Sequence, residues 1–284
     1  QFLHAIAEQV EVLGNSWRTT PYLLATFNQT DLDDVSSTES SIDGGLDVLW
    51  SRAGTDRILM TFNPDFSQVE IDGIRLNVNQ RFPTFFSERR PFFTEDSGVY
   101  STPLFLIDTR VVLTPNIGAQ YLRRSSNLGI GAFLVDDKVT TFILPGLETS
   151  RRIRLDTESI NFAAHGNWQS SDRLTLGGLV TSRSASDGYA NTVVSFDGNY
   201  RLGSRHDFIW HAAGSMADNP LELQNEYGLS PDQSGFAGRV AYRYSNDIYR
   251  AFFRYTQIGE DFRADLGRIN QVGIGQFQHV SSLT

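Results

Sequence analysis

The segment TVVSFDGNYRL, residues 192–202, alternates without a slip. Thr192, Val194, Phe196, Gly198, Tyr200 and Leu202 share one face, and Val193, Ser195, Asp197, Asn199 and Arg201 share the other. GFAGRVAYRYS (235–245) sets Phe236, Gly238, Val240, Tyr242 and Tyr244 against Ala237, Arg239, Ala241 and Arg243. YRAFFRYT (249–256) sets Tyr249, Ala251, Phe253 and Tyr255 against Arg250, Phe252, Arg254 and Thr256. A period of two sustained over about ten residues requires extended strands, roughly twice as long as those of an ordinary globular sheet.

The connections narrow the choice. Short ones fall at 52–56, 124–127, 169–172, 203–207 and 245–248, and longer ones at 29–41, 65–103, 137–151, 184–189 and 217–234. Short and long alternate along the chain. A sandwich has no reason to obey that rule, whereas a bacterial outer-membrane barrel has tight periplasmic turns and long outer loops. The faces agree. Trp168, Tyr200, Trp210, Tyr242, Tyr244, Tyr249 and Tyr255 lie on the apolar face near strand ends, as lipid-facing aromatics do. The opposite face carries Asn161, His165, Asp197, Arg201, Arg239, Arg243, Arg250 and Arg254. The expected fold is all-β: an antiparallel up-and-down transmembrane β-barrel in the bacterial outer membrane, with a soluble sandwich or propeller as its rival. Eleven or twelve strands are expected between Trp17 and Ile258. The tail beyond Ile258 reads as lacking a closing strand that ends in an aromatic. The 284 residues are therefore expected to form one barrel domain that is part of a larger barrel.

Composition removes several classes of function. No run of eighteen apolar residues exists, so no transmembrane helix is expected. The net charge of −9 argues against nucleic acid as a partner. The absence of cysteine removes thiolate chemistry and disulfides. Five scattered histidines lack metal-binding spacing, so neither metal nor cofactor is expected. The N-terminus lacks a basic region followed by an apolar core and does not read as a signal peptide. Of 24 basic residues only Lys138 is lysine, which leaves 23 arginines.

The segment TFNPDFSQVEIDGIRLNVNQRFPTFFSERRPFF, residues 61–93, breaks the alternation. Seven phenylalanines are threaded among prolines and charges, and Pro64, Pro83 and Pro91 exclude a continuous helix. Two readings account for it equally well. It folds into the lumen as a constriction, lid or plug spanning 65–103, or it finishes one strand and forms an ordered outer loop. The inward reading places Asp65, Glu70, Phe85, Phe86, Glu88, Arg89, Arg90 and Phe92 in the plug, with Phe85, Phe86 and Phe92 buried and Arg89 or Arg90 paired to a carboxylate.

Two blocks carry a resemblance. Asn63-Pro64-Asp65-Phe66-Ser67-Gln68-Val69-Glu70 with Phe85-Phe86-Ser87-Glu88-Arg89-Arg90-Pro91-Phe92-Phe93 is one. RYTQIGEDFRADLG (254–267) is the other. Together they resemble an uncharacterised outer-membrane β-barrel family whose members usually follow a carbohydrate-binding domain of the family-nine type. The resemblance implies a barrel that continues past Thr284 and an association with carbohydrate, but no activity.

Chemistry is otherwise sparse. Asp65, Glu70, Asp72, Glu88, Glu95 and Asp96 could supply a glycosidase pair or a calcium site. Without the supporting spacing, ion pairing to Arg81, Arg89 and Arg90 is the better reading. The lumen-facing candidates are His165, Asp197, Arg201, Arg239, Arg243, Arg250 and Arg254, a row that sets a positive local potential. A two-residue turn centred on Asn246-Asp247 is expected to place Arg243 opposite Arg250 and Arg239 opposite Arg254. The function expected first is a channel or uptake protein for saccharide or other small polar, anionic solutes. A non-transporting platform for surface binding, or a subunit joined to other envelope proteins, is second, and a barrel-borne glycoside hydrolase third. Lipid is the expected surrounding. An open lumen would favour transport and a packed one the platform.

Overall fold

The computed structural model describes residues 14–32, 35–64, 82, 88, 90–94 and 97–283. Twelve strands form a single antiparallel sheet in chain order. They are β1 (Asn15–Leu32), β2 (Val35–Arg52), β3 (Asp56–Phe62), β4 (Pro115–Arg124), β5 (Leu128–Asp137) and β8 (Ser159–Gln169). The series continues through β9 (Leu174–Ala185), β10 (Ala190–Leu202), β11 (His206–Asp218), β12 (Asp232–Ser245), β13 (Tyr249–Ile258) and β14 (Ile274–Leu283). A separate hairpin of β6 (Thr140–Leu144) and β7 (Arg151–Leu155) interrupts the series. Two short helices, α1 (Pro91–Thr94) and α2 (Leu221–Tyr227), lie in connections. Among the described residues no helix is long and apolar enough to cross a membrane.

An antiparallel meander sends alternate connections to alternate ends. Residues 53–55, 125–127, 170–173, 203–205 and 246–248 therefore share one end, and the connections that follow β3, β5, β9, β11 and β13 leave from the other. Ser170 and Glu222 lie at opposite ends, as the alternation of connections requires.

Three details differ from the sequence reading. Residues 29–32 and 35–41 are strand rather than loop, for β1 and β2 pair from Asn15↔Arg52 to Leu32↔Val35. The serine- and threonine-rich composition there resembles a loop because a strand that outruns its apolar band needs no apolar face. The tail also holds a strand: β14 pairs with β13 from Ile258↔Ile274 to Tyr249↔Leu283. Its weak alternation hid it, although Phe253 stacks on His279 with ring centres 4.5 Å apart. Finally, the β12–β13 register is displaced by two residues. Arg243 faces Phe252, Arg239 faces Thr256, Ser245 faces Arg250 and Ala241 faces Arg254. Asn246 Oδ1 accepts hydrogen bonds from Ile248 N at 2.9 Å and Tyr249 N at 2.6 Å. That side chain makes Asn246 the first residue of the turn rather than a central one. A shift of two keeps every side chain on its expected face.

One face of the sheet is an exposed apolar band. Met60, Leu134, Ile160, Val194, Phe196, Val240 and Phe277 all stand open on it. Register places Trp17, Trp50, Tyr121, Trp168, Tyr200 and Tyr242 on this face at the short-turn end. An apolar band edged by tryptophan and tyrosine suits a lipid bilayer and its interface, not water. The sheet is the wall of an outer-membrane β-barrel. The core lies on the opposite, inward face.

Candidate functional site: the occupied interior

What fills the inward face is the chain itself. Glycines in the wall make the room. A side chain at Gly118 would stand 2.9 Å from the Phe92 ring, and one at Gly131 would stand 2.8 Å from Val99 and 2.9 Å from Tyr100. Gly235 lies against the backbone of Asp261 and Phe262. Two apolar clusters result. Phe92, Phe93, Tyr100, Val111 and Val112 pack with Phe133, Val135 and Leu122 of the wall. Leu104, Leu106, Phe262 and Ile269 pack with Leu179, Val193 and Ala237.

At the long-loop end the buried charges are paired. Glu88 accepts from Arg90 Nη2 at 2.6 Å and from Thr109 Oγ1 at 2.6 Å. Arg90 donates onward to the carbonyls of Val112 at 2.6 Å and Thr109 at 2.7 Å, and lies 4.5 Å from the Phe93 ring centre. Burial would raise the Glu88 carboxyl, but the hydrogen bonds and charge of Arg90 override it and hold it at about 2. Arg183, wholly buried, sits 3.7 Å from Asp137 and donates to the carbonyls of Thr141 and, at 3.4 Å, Val111. Asp137 also accepts from Leu113 N at 2.9 Å and Thr114 N at 2.8 Å. Arg263 contacts Asp265 at 2.5 Å and donates to Asn219 Oδ1 at 2.5 Å. Tyr189 donates to Asp265 at 2.7 Å, and burial followed by the Asp265 charge pushes its hydroxyl well up. The β6–β7 hairpin closes over this layer through Phe142 and Ile153, which pack on Tyr189 and on Leu223 of α2.

Toward the short-turn end lies a different polar layer. The described turn and extended chain of 97–107 is tied to the wall by four side chains, the first being Gln120, whose Nε2 donates to the Tyr100 hydroxyl at 3.3 Å. His165 Nδ1 contacts the Val99 carbonyl, Arg239 donates to the Pro103 carbonyl, and His211 Nδ1 accepts from Leu104 N at 3.2 Å. His165 Nε2 stands 3.7 Å from Asp197 Oδ1, and Asp197 is directly opposite His211 across the ladder. His165 Nε2, Ser195 Oγ, Asp197 Oδ1 and His211 Nε2 are buried with no hydrogen-bond partner among the described residues.

Below that layer the arginines reach an open mouth. Asp207 is shared by Arg201 and Arg243, each at 3.5 Å. Arg254 donates to Gln278 and lies 5.8 Å from the Phe252 ring centre. Arg243, Arg250, Phe252 and Ser282 border a recess of about 380 Å³. Asp197 serves His165 and His211 rather than this row, and Asp207 is the carboxylate that the sequence reading overlooked. It occupies the inward parity of β11, opposite Arg201 and Arg243.

Of the candidates in the signature segment, Glu88, Arg90 and Phe92 meet around the turn Thr109–Val111. Asp65, Glu70, Phe85, Phe86 and Arg89 lie outside the described residues. Sequence reasoning missed Arg183 and Arg263, the two largest fully buried side chains. Among the described residues no cluster of three metal-ligating side chains exists.

A family described as a domain of unknown function, DUF5916, matches residues 18–128. No curated protein matches the chain. Several solved outer-membrane proteins do. In-vitro folded OmpT of Vibrio cholerae, in trimer form, is 12% identical over 94% of this chain and 98% of its own, with a TM-score of 0.38. OccAB1 of Acinetobacter baumannii is 10% identical over 82% of this chain and 50% of its own, with a TM-score of 0.38. A mutant Rh. blastica porin is 12% identical over 94% and 87%, with a TM-score of 0.30.

Proposed function

We propose that the chain is the wall of an outer-membrane channel for small polar solutes, held closed by its own segment 97–107. The observation that carries this reading is the arginine mouth. Arg201, Arg243, Arg250 and Arg254 share the inward face at the short-turn end, beneath a segment held to the wall by the side chains of Gln120, His165, His211 and Arg239. Four guanidinium groups against one shared carboxylate set a positive potential in a chain of net charge −9. Anions, acidic saccharides among them, are the solute class such a mouth collects, and the guanidinium and ring planes of Arg254 and Phe252 suit stacking on sugar faces. Short turns face the periplasm in barrels of this kind, so the mouth opens there.

The platform reading has its own support. The long-loop layer fills the interior with buried, paired charges, as a permanent closure would. Planar-bilayer conductance of the full-length protein separates the two. Under the channel reading, loosening the segment with Gly131→Val produces openings that prefer anions, and adding Arg243→Gln and Arg250→Gln lowers that preference. A loosened protein that still conducts nothing is a platform.

A further inference from the structure

Protonation has opposite meanings at the two histidines that hold segment 97–107. A carbonyl oxygen can only accept, so His165 Nδ1 must carry a proton toward Val99. A backbone N–H can only donate, so His211 Nδ1 must offer a lone pair to Leu104. His165 keeps its bond to the segment whether its ring is neutral or charged, and when charged its Nε2 proton points at Asp197 3.7 Å away. His211 keeps its bond only while neutral, with its single proton on Nε2.

We infer that this pair is a proton-operated latch, in which protonation of His211 frees the segment that fills the lumen. The inference rests on reading 97–107 as the gate. The step is simple. A solvent proton takes the Nδ1 lone pair of His211, the hydrogen bond from Leu104 N breaks, and two N–H donors are left facing each other across 3.2 Å. The charged and titratable groups around His211 are few. Asp197 on β10 attracts the added proton, while Arg239 on β12 and His165 on β8 oppose it. The segment Ser97–Ile107 contributes no Asp, Glu, Lys, Arg or His. The new cation therefore sits beside Arg239, whose guanidinium holds the neighbouring Pro103 carbonyl. A single protonation removes one tether and strains a second, while the His165 tether stays as a hinge.

Hydrogen exchange of the full-length protein in phosphatidylcholine vesicles tests the latch. Protection of the amides in 104–107, corrected for intrinsic exchange, is compared from about pH 8 to about pH 3, a range that extends below the ordinary histidine value. The expected result is a loss of roughly tenfold or more on acidification, with the amides of the β10–β11 ladder unchanged. His211→Asn places a non-titrating oxygen near the Nδ1 position, so its protection should stay level across the range. A wild-type protein with level protection, or an asparagine variant with the same loss, overturns the latch while leaving the gate reading intact. An unprotected segment at about pH 8 overturns the seating and the latch together. Should the asparagine variant not assemble, Arg239→Gln decides: removing the neighbouring cation should move the release to higher pH, and an unmoved midpoint refutes the inference.

Discussion

Arg183 and His211 both project inward from the wall, and both are almost sealed from solvent, at 0% and 3% exposure. Arg183 sits 3.7 Å from a carboxylate that itself accepts two backbone N–H groups, and it donates to two carbonyls. His211 holds one amide and leaves its other nitrogen without a partner. The same contrast runs through their layers. At the long-loop end, Glu88, Arg90, Asp137, Arg183, Arg263 and Asp265 form pairs in which every charge has a counter-charge. At the short-turn end, four buried polar atoms of His165, Ser195, Asp197 and His211 have no hydrogen-bond partner among the described residues. Buried polar groups without partners cost about 1–3 kcal/mol each, and Asn161 Oδ1 beside Arg183 is one at the long-loop end too, so the paired charges rather than complete satisfaction set that layer apart. On the proposed reading the long-loop layer is the fixed closure and the short-turn layer the movable one.

The largest effect that could break this division is at Asp137. Asp137→Ala removes the countercharge of Arg183 and the acceptor of Leu113 N and Thr114 N together. Breaking a buried pair from one side costs about 3–5 kcal/mol. Urea unfolding of the refolded protein should show a loss of that size. A loss under about 1 kcal/mol would mean that the fixed layer is not holding the interior.

Next comes Glu88. Its folded value of about 2 lies below the ordinary 4.5, so its contribution is fully present above about pH 4.5 and is lost as the pH falls through 2. That difference corresponds to a stabilisation on the order of 3 kcal/mol. Amides of 109–112, which the Arg90–Glu88 pair braces, should lose protection between about pH 4.5 and about pH 2, and Glu88→Gln should flatten that loss.

Gly131→Val follows. The added carbons overlap Val99 and Tyr100, and overpacking of this kind costs about 1–3 kcal/mol. The cost should appear as lowered protection of 97–107 with the 109–112 amides unchanged. Equal loss in both stretches would show that the two layers move as one body.

How much of this was legible follows from what alternation can report. A period of two says which side chains face inward, so His165, Asp197 and the arginine row were visible, and a register error of two residues left their faces intact. It says nothing about what meets them there. Arg183 sits in TSRSAS, where its parity is plain, but the carbonyls of Thr141 and Val111 reach it from 42 and 72 residues away. Gly118, Gly131 and Gly235 were the available signal. Glycine on the inward face of a long strand marks a close approach by another part of the chain. The register slipped because Asn246 acts through its side chain, which no count of residues between strands can register.

The smallest expected effect is the sharpest test of the contrast. Asp197 looks like Asp137: an inward carboxylate on a central strand, beside a basic residue. Each carboxylate stands 3.7 Å from its basic partner, but Asp137 accepts two backbone N–H groups, whereas Asp197 Oδ1 has no donor among the described residues. Asp197→Asn keeps the shape over Gly177, whose absent side chain makes room for either group, and removes only the charge. If the short-turn layer is as loosely satisfied as its geometry indicates, stability should change by less than about 1 kcal/mol, against about 3–5 at Asp137. The charge still matters for titration. Asp197 favours a protonated His211, so the asparagine variant should need more acid to release segment 97–107, and exchange should follow that shift. A large loss of stability at Asp197 would make the two layers alike, and with that the physical basis for a fixed and a movable half would be gone.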